Sequence, residues 1–186
     1  ETVKKYVKMG FTVSIQAAAG DGIYVSDEDY RKAGATIVPT PEELFANSDL
    51  VLKVKQPVFN TNAQKHEAEM LKEGSLLITF LHPAAPANHP LVLMLQERNI
   101  TSFTMDGIPR ISRAQRMDAL TSMSTVTGYR SVLIAANHLS KFVPMIGTAI
   151  GTVKAAKFLV VGTGVVGLQA IAAAKRLGGS VKAVDI

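Results

Sequence analysis

The sequence predicts an α/β fold in two lobes, each built on a parallel sheet. Three observations lead there. Short runs rich in Val, Ile, Leu and Phe recur along the 186 residues, separated by stretches that carry helix punctuation. The runs are continuous rather than alternating, as in strands covered on both faces. Near the C-terminus a glycine-rich turn stands between one such run and a helical stretch, the junction of a right-handed crossover.

The expected strands are Phe11–Gln16, Ala35–Val38, Leu50–Val54, Ser75–Phe80, Ile100–Met105, Lys157–Val161 and Ser180–Val184. Thr2 to Gly10 is helix-like, and the chain opens at Glu1 without an initiating Met, as expected of a fragment. Ser26-Asp27-Glu28-Asp29 opens a helix with an acidic first turn, and Gly34 closes it. Thr40-Pro41-Glu42-Glu43 supplies an N-cap, a proline at the first helical position and a capping-box Glu. Asn62–Lys72 reads as an amphipathic helix ending at Gly74. A long helix, about Met117 to Leu139, carries Leu120, Met123, Val126, Tyr129, Leu133 and Ala136 along one side and is expected to bridge the lobes. Gly147, Thr148, Gly151 and Thr152 mark the connection that follows. The expected division is residues 1–140 for the first lobe with its bridging helix and 141–186 for the start of the second. The second lobe is expected to be truncated here, because a doubly wound sheet needs further β-α units after the strand ending at Val184.

Composition narrows the function. With no cysteine, disulfides, thiolate metal sites and cysteine nucleophiles are excluded. The net charge of +5 comes from dispersed Lys and Arg without interleaved aromatics, which favours a solvated surface over polyanion binding. His66, His89 and His138 lack metal-ligand spacing, so no metal site is expected.

Val160-Val161-Gly162-Thr163-Gly164-Val165-Val166-Gly167 carries the clearest chemistry. Gly162 would make the tight turn, Gly164 would let a diphosphate approach the backbone, and Gly167 would let the helix pack on its strand. Amides at Val165 and Val166 would face the phosphates at the positive end of the helix. The next strand ends in Asp185, where a carboxylate can accept ribose hydroxyls. A 2′-phosphate would meet that anion at a cost of about 1–4 kcal/mol, so NAD(H) is expected over NADP(H). This is the opening β-α-β of a Rossmann lobe.

A second constellation precedes the long helix: Arg110, Gln115, Asp118, Thr121 and Ser122, within Arg110-Ile111-Ser112-Arg113-Ala114-Gln115-Arg116-Met117-Asp118-Ala119-Leu120 and the residues after it. An Asp can accept from a carboxamide NH2 and an Arg can donate to its carbonyl, so these groups suit a nicotinamide. Gln115, Asp118 and Thr121 stand at three-residue intervals, which one helical turn would align. Taken by composition alone, the run also reads as a helix start with exposed charges.

The run from Pro109 to Leu120, continuing through Gly128-Tyr129-Arg130 and on to the glycine loop, resembles the NAD(H)-binding component of proton-translocating nicotinamide nucleotide transhydrogenases over essentially the whole chain. The resemblance implies two Rossmann-like lobes and an NAD(P)+ transhydrogenase of the Si/Re type. It makes Arg110, Gln115 and Asp118 the catalytic set: Arg110 and Asp118, with the hydroxyls at Thr121 and Ser122, hold the nicotinamide, and Gln115 lies between the two nucleotides. It implies NADP(H) on a partner component, a membrane component, a homodimer, and a place on the soluble face of an energy-coupling inner membrane (bacterial cytoplasmic side or mitochondrial matrix side). Departures from the family pattern are Thr121 for Ser, Arg116 for a smaller residue, Thr125 for Asn and Lys154-Ala155 for Pro-Pro.

Alanine dehydrogenase, a fold relative, is the alternative. Lys53-Val54-Lys55-Gln56-Pro57 and Thr79-Phe80-Leu81-His82 resemble its substrate-binding Lys and catalytic His segments. Lys55 could hold a carboxylate and His82 could act as acid and base. The plainer reading of His82 is a strand-end histidine satisfied by backbone. An NAD-binding regulatory module without turnover is the third reading.

Overall fold

A computed structural model describes residues 1–109 and 111–186. They form two compact units, Glu1–Gly107 and Ile108–Ile186.

The first unit runs α1 (Thr2–Lys8), β1 (Val13–Gln16), α2 (Asp27–Lys32), β2 (Ala35–Val38), α3 (Pro41–Ala46), β3 (Leu50–Lys55), β4 (Phe59–Asn60), β5 (Lys65–His66), α4 (Glu67–Met70), β6 (Leu76–Phe80), α5 (His89–Glu97) and β7 (Thr101–Thr104). Strands β1 and β2 pair in parallel, and β3-β6-β7 form a second parallel sheet. Its core gathers Phe45, Val51, Leu71, Leu77, Leu81, Leu91, Leu95 and Ile100, so α3 and α5 cover apolar side chains of the sheet. The expected N-cap at Thr40 forms, without the reciprocal Glu43 side-chain bond of the expected capping box. The Thr40 hydroxyl accepts from the Glu43 amide at 3.3 Å with Pro41 in the first turn. A reciprocal capping box forms at Ser26 and Asp29, where each side chain bonds the other residue's backbone.

Several expectations need correction, two of them here. The helix expected over Asn62–Lys72 is a hairpin, β4 to β5, followed by the single turn of α4. Asn60 supplies the reason: its side-chain oxygen accepts from the Asn62 and Ala63 amides at 3.0 and 3.1 Å, a turn that competes with helical bonding. The strands are also not covered on both faces throughout; in the second unit the first strand of the nucleotide motif alternates exposed and half-buried positions.

The second unit contains α6 (Ala119–Asn137), β8 (Ile146–Thr148), β9 (Gly151–Val153), β10 (Lys157–Val161), α7 (Val165–Arg176) and β11 (Ser180–Val184). Strands β8 and β9 make an antiparallel hairpin in the connection, while β10 and β11 pair in parallel with Val161 opposite Val184. The long helix is shorter than expected and packs with α7 inside this unit. The side it turns inward is also different. Gly128 and Val132 are its buried residues, and Val132 packs with Ala170, Ala173 and Ala174 of α7. Val126 and Tyr129, expected on the apolar side, stay largely exposed. Small side chains on both helices permit that close seam, which a stripe of large residues does not reveal.

Candidate functional site

The glycine loop is built by the strand pair beneath it. The Gly162 amide donates to the Val184 carbonyl at 2.8 Å, so the loop leaves β10 at the point where β11 also ends. Gly162 turns the chain with φ +92, a conformation that side chains resist. Gly164 caps α7, and the helix closes its first bond from the Leu168 amide to the Gly164 carbonyl at 2.8 Å. The amides of that first turn therefore have no carbonyl of their own helix to meet.

The three glycines differ in what surrounds them. A Cβ on Gly167 would lie 1.8 Å from the Gly162 carbonyl oxygen, so the absence of a side chain lets α7 sit on the loop. A Cβ on Gly162 or Gly164 would meet nothing within 4 Å. Gly164, where the sequence reading expects a diphosphate to approach, borders open space, so its bare backbone fits a dinucleotide. Val165 and Val166 follow, each about two-fifths exposed at the mouth of the loop.

Asp185 is tied to this loop. Its Oδ2 accepts from the Thr163 amide at 2.7 Å and from the Thr163 hydroxyl, and its Oδ1 accepts from the Ile186 amide at 2.9 Å. The Thr163 hydroxyl, then the Thr163 and Ile186 amides, hold its pKa below the ordinary value of 3.8. Thr163 was not a candidate from the sequence. A hydroxyl between the first two glycines, 22 residues before the acid, is the signal that could have found it.

The other cluster lies at the start of α6. Asp118 is the N-cap: its Oδ1 accepts from the Thr121 amide at 2.9 Å and its Oδ2 from the Thr121 hydroxyl at 2.5 Å. Gln115 is exposed on a separate 3-10 turn, Ser112–Met117, and the alignment of Gln115, Asp118 and Thr121 on one helix face is corrected accordingly. The backbone breaks at Asp118, with ψ 83, because an N-cap keeps non-helical angles. Ser122 is exposed in the first turn of α6. Arg110 lies outside the described residues.

In the first unit, Lys55, His82 and Asp106 follow one another across the C-terminal ends of β3, β6 and β7. His82 is not satisfied by backbone as expected. Its Nδ1 lies 2.6 Å from Asp106 Oδ1, and its amide donates to Asp106 Oδ2 at 2.8 Å. Burial raises the Asp106 pKa, but the bonds from the Thr104 hydroxyl and the His82 amide, with the His82 ring, leave it below 3.8. A carboxyl depressed in the folded state stabilises fully above its unfolded pKa, and that contribution is lost as pH falls through the folded value. The melting-temperature gap between wild type and Asp106→Asn should therefore close as pH falls below about 4. Scanning calorimetry across that range checks it; a gap that widens in acid would contradict the assignment. His66 caps α4, its Nδ1 accepting from the Ala68 amide at 3.1 Å. Among the described residues there is no group of three or more His, Asp or Glu that could hold a metal, and no helix long and apolar enough to cross a membrane.

The chain matches the family described as alanine dehydrogenase/PNT, N-terminal domain, over residues 1–127 and the alanine dehydrogenase/PNT, C-terminal domain, over residues 131–186. It is 44% identical to an NAD(P) transhydrogenase subunit alpha polypeptide of Rhodospirillum rubrum, over 100% of this chain and 48% of that protein. The crystal structure of transhydrogenase from Sinorhizobium meliloti superposes with a TM-score of 0.90 at 40% identity, covering 100% of this chain and 53% of that one. A solved L-alanine dehydrogenase follows at a TM-score of 0.80 and 30% identity, covering 98% of this chain and 48% of that one. The chain thus spans about half the length of the relatives it matches. On the extent of these matches, the chain belongs to the alanine dehydrogenase/PNT family.

Proposed function

We propose that this chain belongs to the NAD(H)-binding module of a proton-translocating transhydrogenase, which passes hydride between NADH and an NADP+ held by a partner component. The observation that carries the reading is the presence, in one compact unit, of the glycine cradle with Asp185 at its rim and the Asp118–Thr121 pair at the start of α6. NADH bound there supplies the hydride. The chain's own groups bind and orient: the first-turn amides of α7 face the diphosphate, Asp185 accepts from the ribose, and Asp118 and Arg110 address the carboxamide, with the Thr121 and Ser122 hydroxyls beside them. Gln115, exposed before the cap, faces the second nucleotide. No proton moves in such a transfer, so positioning rather than a general acid or base is what the protein must provide.

The greater likeness to transhydrogenase than to alanine dehydrogenase supports this reading. It carries with it a homodimer, an NADP(H)-binding partner, a membrane component, and a place on the soluble face of an inner membrane, facing bacterial cytoplasm or mitochondrial matrix. The division proposed from the sequence, residues 1–140 and 141–186, counts α6 with the first lobe, whereas α6 packs with α7 in the compact unit Ile108–Ile186. The test mixes the full-length protein with the NADP(H)-binding component and follows hydride transfer from NADH to an NADP+ analogue. Transfer supports the proposal; tight NADH binding without transfer favours a regulatory module. The His82–Asp106 pair beside Lys55 favours a second reading, an alanine dehydrogenase, since a paired histidine near a lysine at strand ends suits acid-base work on a small acid. Alanine-dependent reduction of NAD+ by the full-length protein would favour it.

A further inference from the structure

We propose that Gly128 is a positioning residue, one that sets the spacing between the nicotinamide end of the site at the start of α6 and the diphosphate cradle at the start of α7. The proposal rests on the NAD(H) reading above. Gly128 is buried, and a Cβ there would lie 2.3 Å from the Val166 carbonyl oxygen, 3.1 Å from its carbonyl carbon and 3.0 Å from the Gln169 Cβ. The first two of these atoms form the Val166 carbonyl, in the first turn of α7 two residues after its Gly164 cap. Helix α6 therefore rests on the backbone of the same turn whose amides are proposed to hold the diphosphate, with no Gly128 side chain between them. Asp118 stands ten residues earlier on the same helix, roughly 15 Å along its axis, and α6 is a continuous α-helix from Ala119 onward. Any displacement of α6 at Gly128 is carried rigidly to the cap where Asp118 and Thr121 sit.

The same geometry says which helix gives way. On an adjacent face the first turn of α7 is held against the loop at Gly167, whose Cβ position is 1.8 Å from the Gly162 carbonyl oxygen. Helix α7 has no room to move closer to the loop. A methyl group at Gly128 must therefore lift α6 and leave the cradle and Asp185 where they are. Only the nicotinamide end should then lose its partners.

The test compares NADH with ADP-ribose, which lacks the nicotinamide, by calorimetry on full-length Gly128→Ala. Misplacing a charge-assisted contact should weaken NADH by about 10–100-fold while ADP-ribose changes by less than about threefold. Should that variant not fold, Val132→Ile adds one methylene to the same helix seam, and about a threefold selective loss of NADH is expected. Equal weakening of both ligands in step with a fall in Tm means a purely structural glycine and overturns the proposal, as does no change in either variant. Wild-type protein that binds ADP-ribose as tightly as NADH overturns the proposal as well, whereas wild-type protein that binds neither ligand removes the NAD(H) reading on which it rests.

Discussion

Alanine at Gly167 is expected to weaken NADH binding by about 100-fold and to lower stability by about 1–3 kcal/mol. The added Cβ would meet the Gly162 carbonyl oxygen at 1.8 Å and its carbon at 2.8 Å, and neither atom belongs to a flexible side chain. The helix must lift from the strand, and it carries the first-turn amides away from the cradle as it goes. Gly164→Ala separates binding from folding. Its φ of −67 suits alanine, and its Cβ would point into open space. Stability should stay within about 0.5 kcal/mol, whereas the methyl group occupies the place of the diphosphate and weakens NADH. Thermal melts and calorimetry on both variants check the pair. Equal loss of stability in the two would contradict the roles assigned to these glycines.

The second large effect is expected at Asp118, whose carboxylate caps a helix and is proposed to address the nicotinamide. Asn is as good an N-cap as Asp, so Asp118→Asn should keep the bond from the Thr121 amide and change stability little. It loses the charge that strengthens a bond to the carboxamide, and NADH should weaken by about tenfold or more. Asp118→Ala removes both functions: the cap costs about 1 kcal/mol in addition to the lost affinity. ADP-ribose serves as the control ligand for both. If Asp118→Asn binds NADH like wild type, the carboxylate charge does not address the carboxamide.

Much of the architecture was legible in the residues, for reasons that can be named. Ala35–Val38, Lys157–Val161 and Ser180–Val184 are strands with the expected bounds, because β-branched and apolar runs flanked by glycine have few alternatives. The glycine loop was legible because a strand-turn-helix context constrains where bare backbone is needed. Where the reading failed, a local side chain had taken over the backbone. Asn60 turned an amphipathic pattern into a hairpin, and Asp118 ended one helix and began another in what reads as a single helical run. The inward side of α6 was missed because Gly128 and the alanines of α7 make contact by being small, which no hydrophobic stripe records. Thr163 and Asp106 were missed because a tertiary hydrogen bond across 22 or 24 residues leaves no periodic trace.

The central claim is that the second unit holds an unphosphorylated adenosine ribose at Asp185. Titrating the full-length protein with NADH and NADPH in parallel tests it most directly. A carboxylate at the loop rim should make NADH the tighter ligand by about tenfold or more, and Asp185→Ala should narrow that gap. Tighter binding of NADPH, or no heat with either nucleotide, would contradict the account.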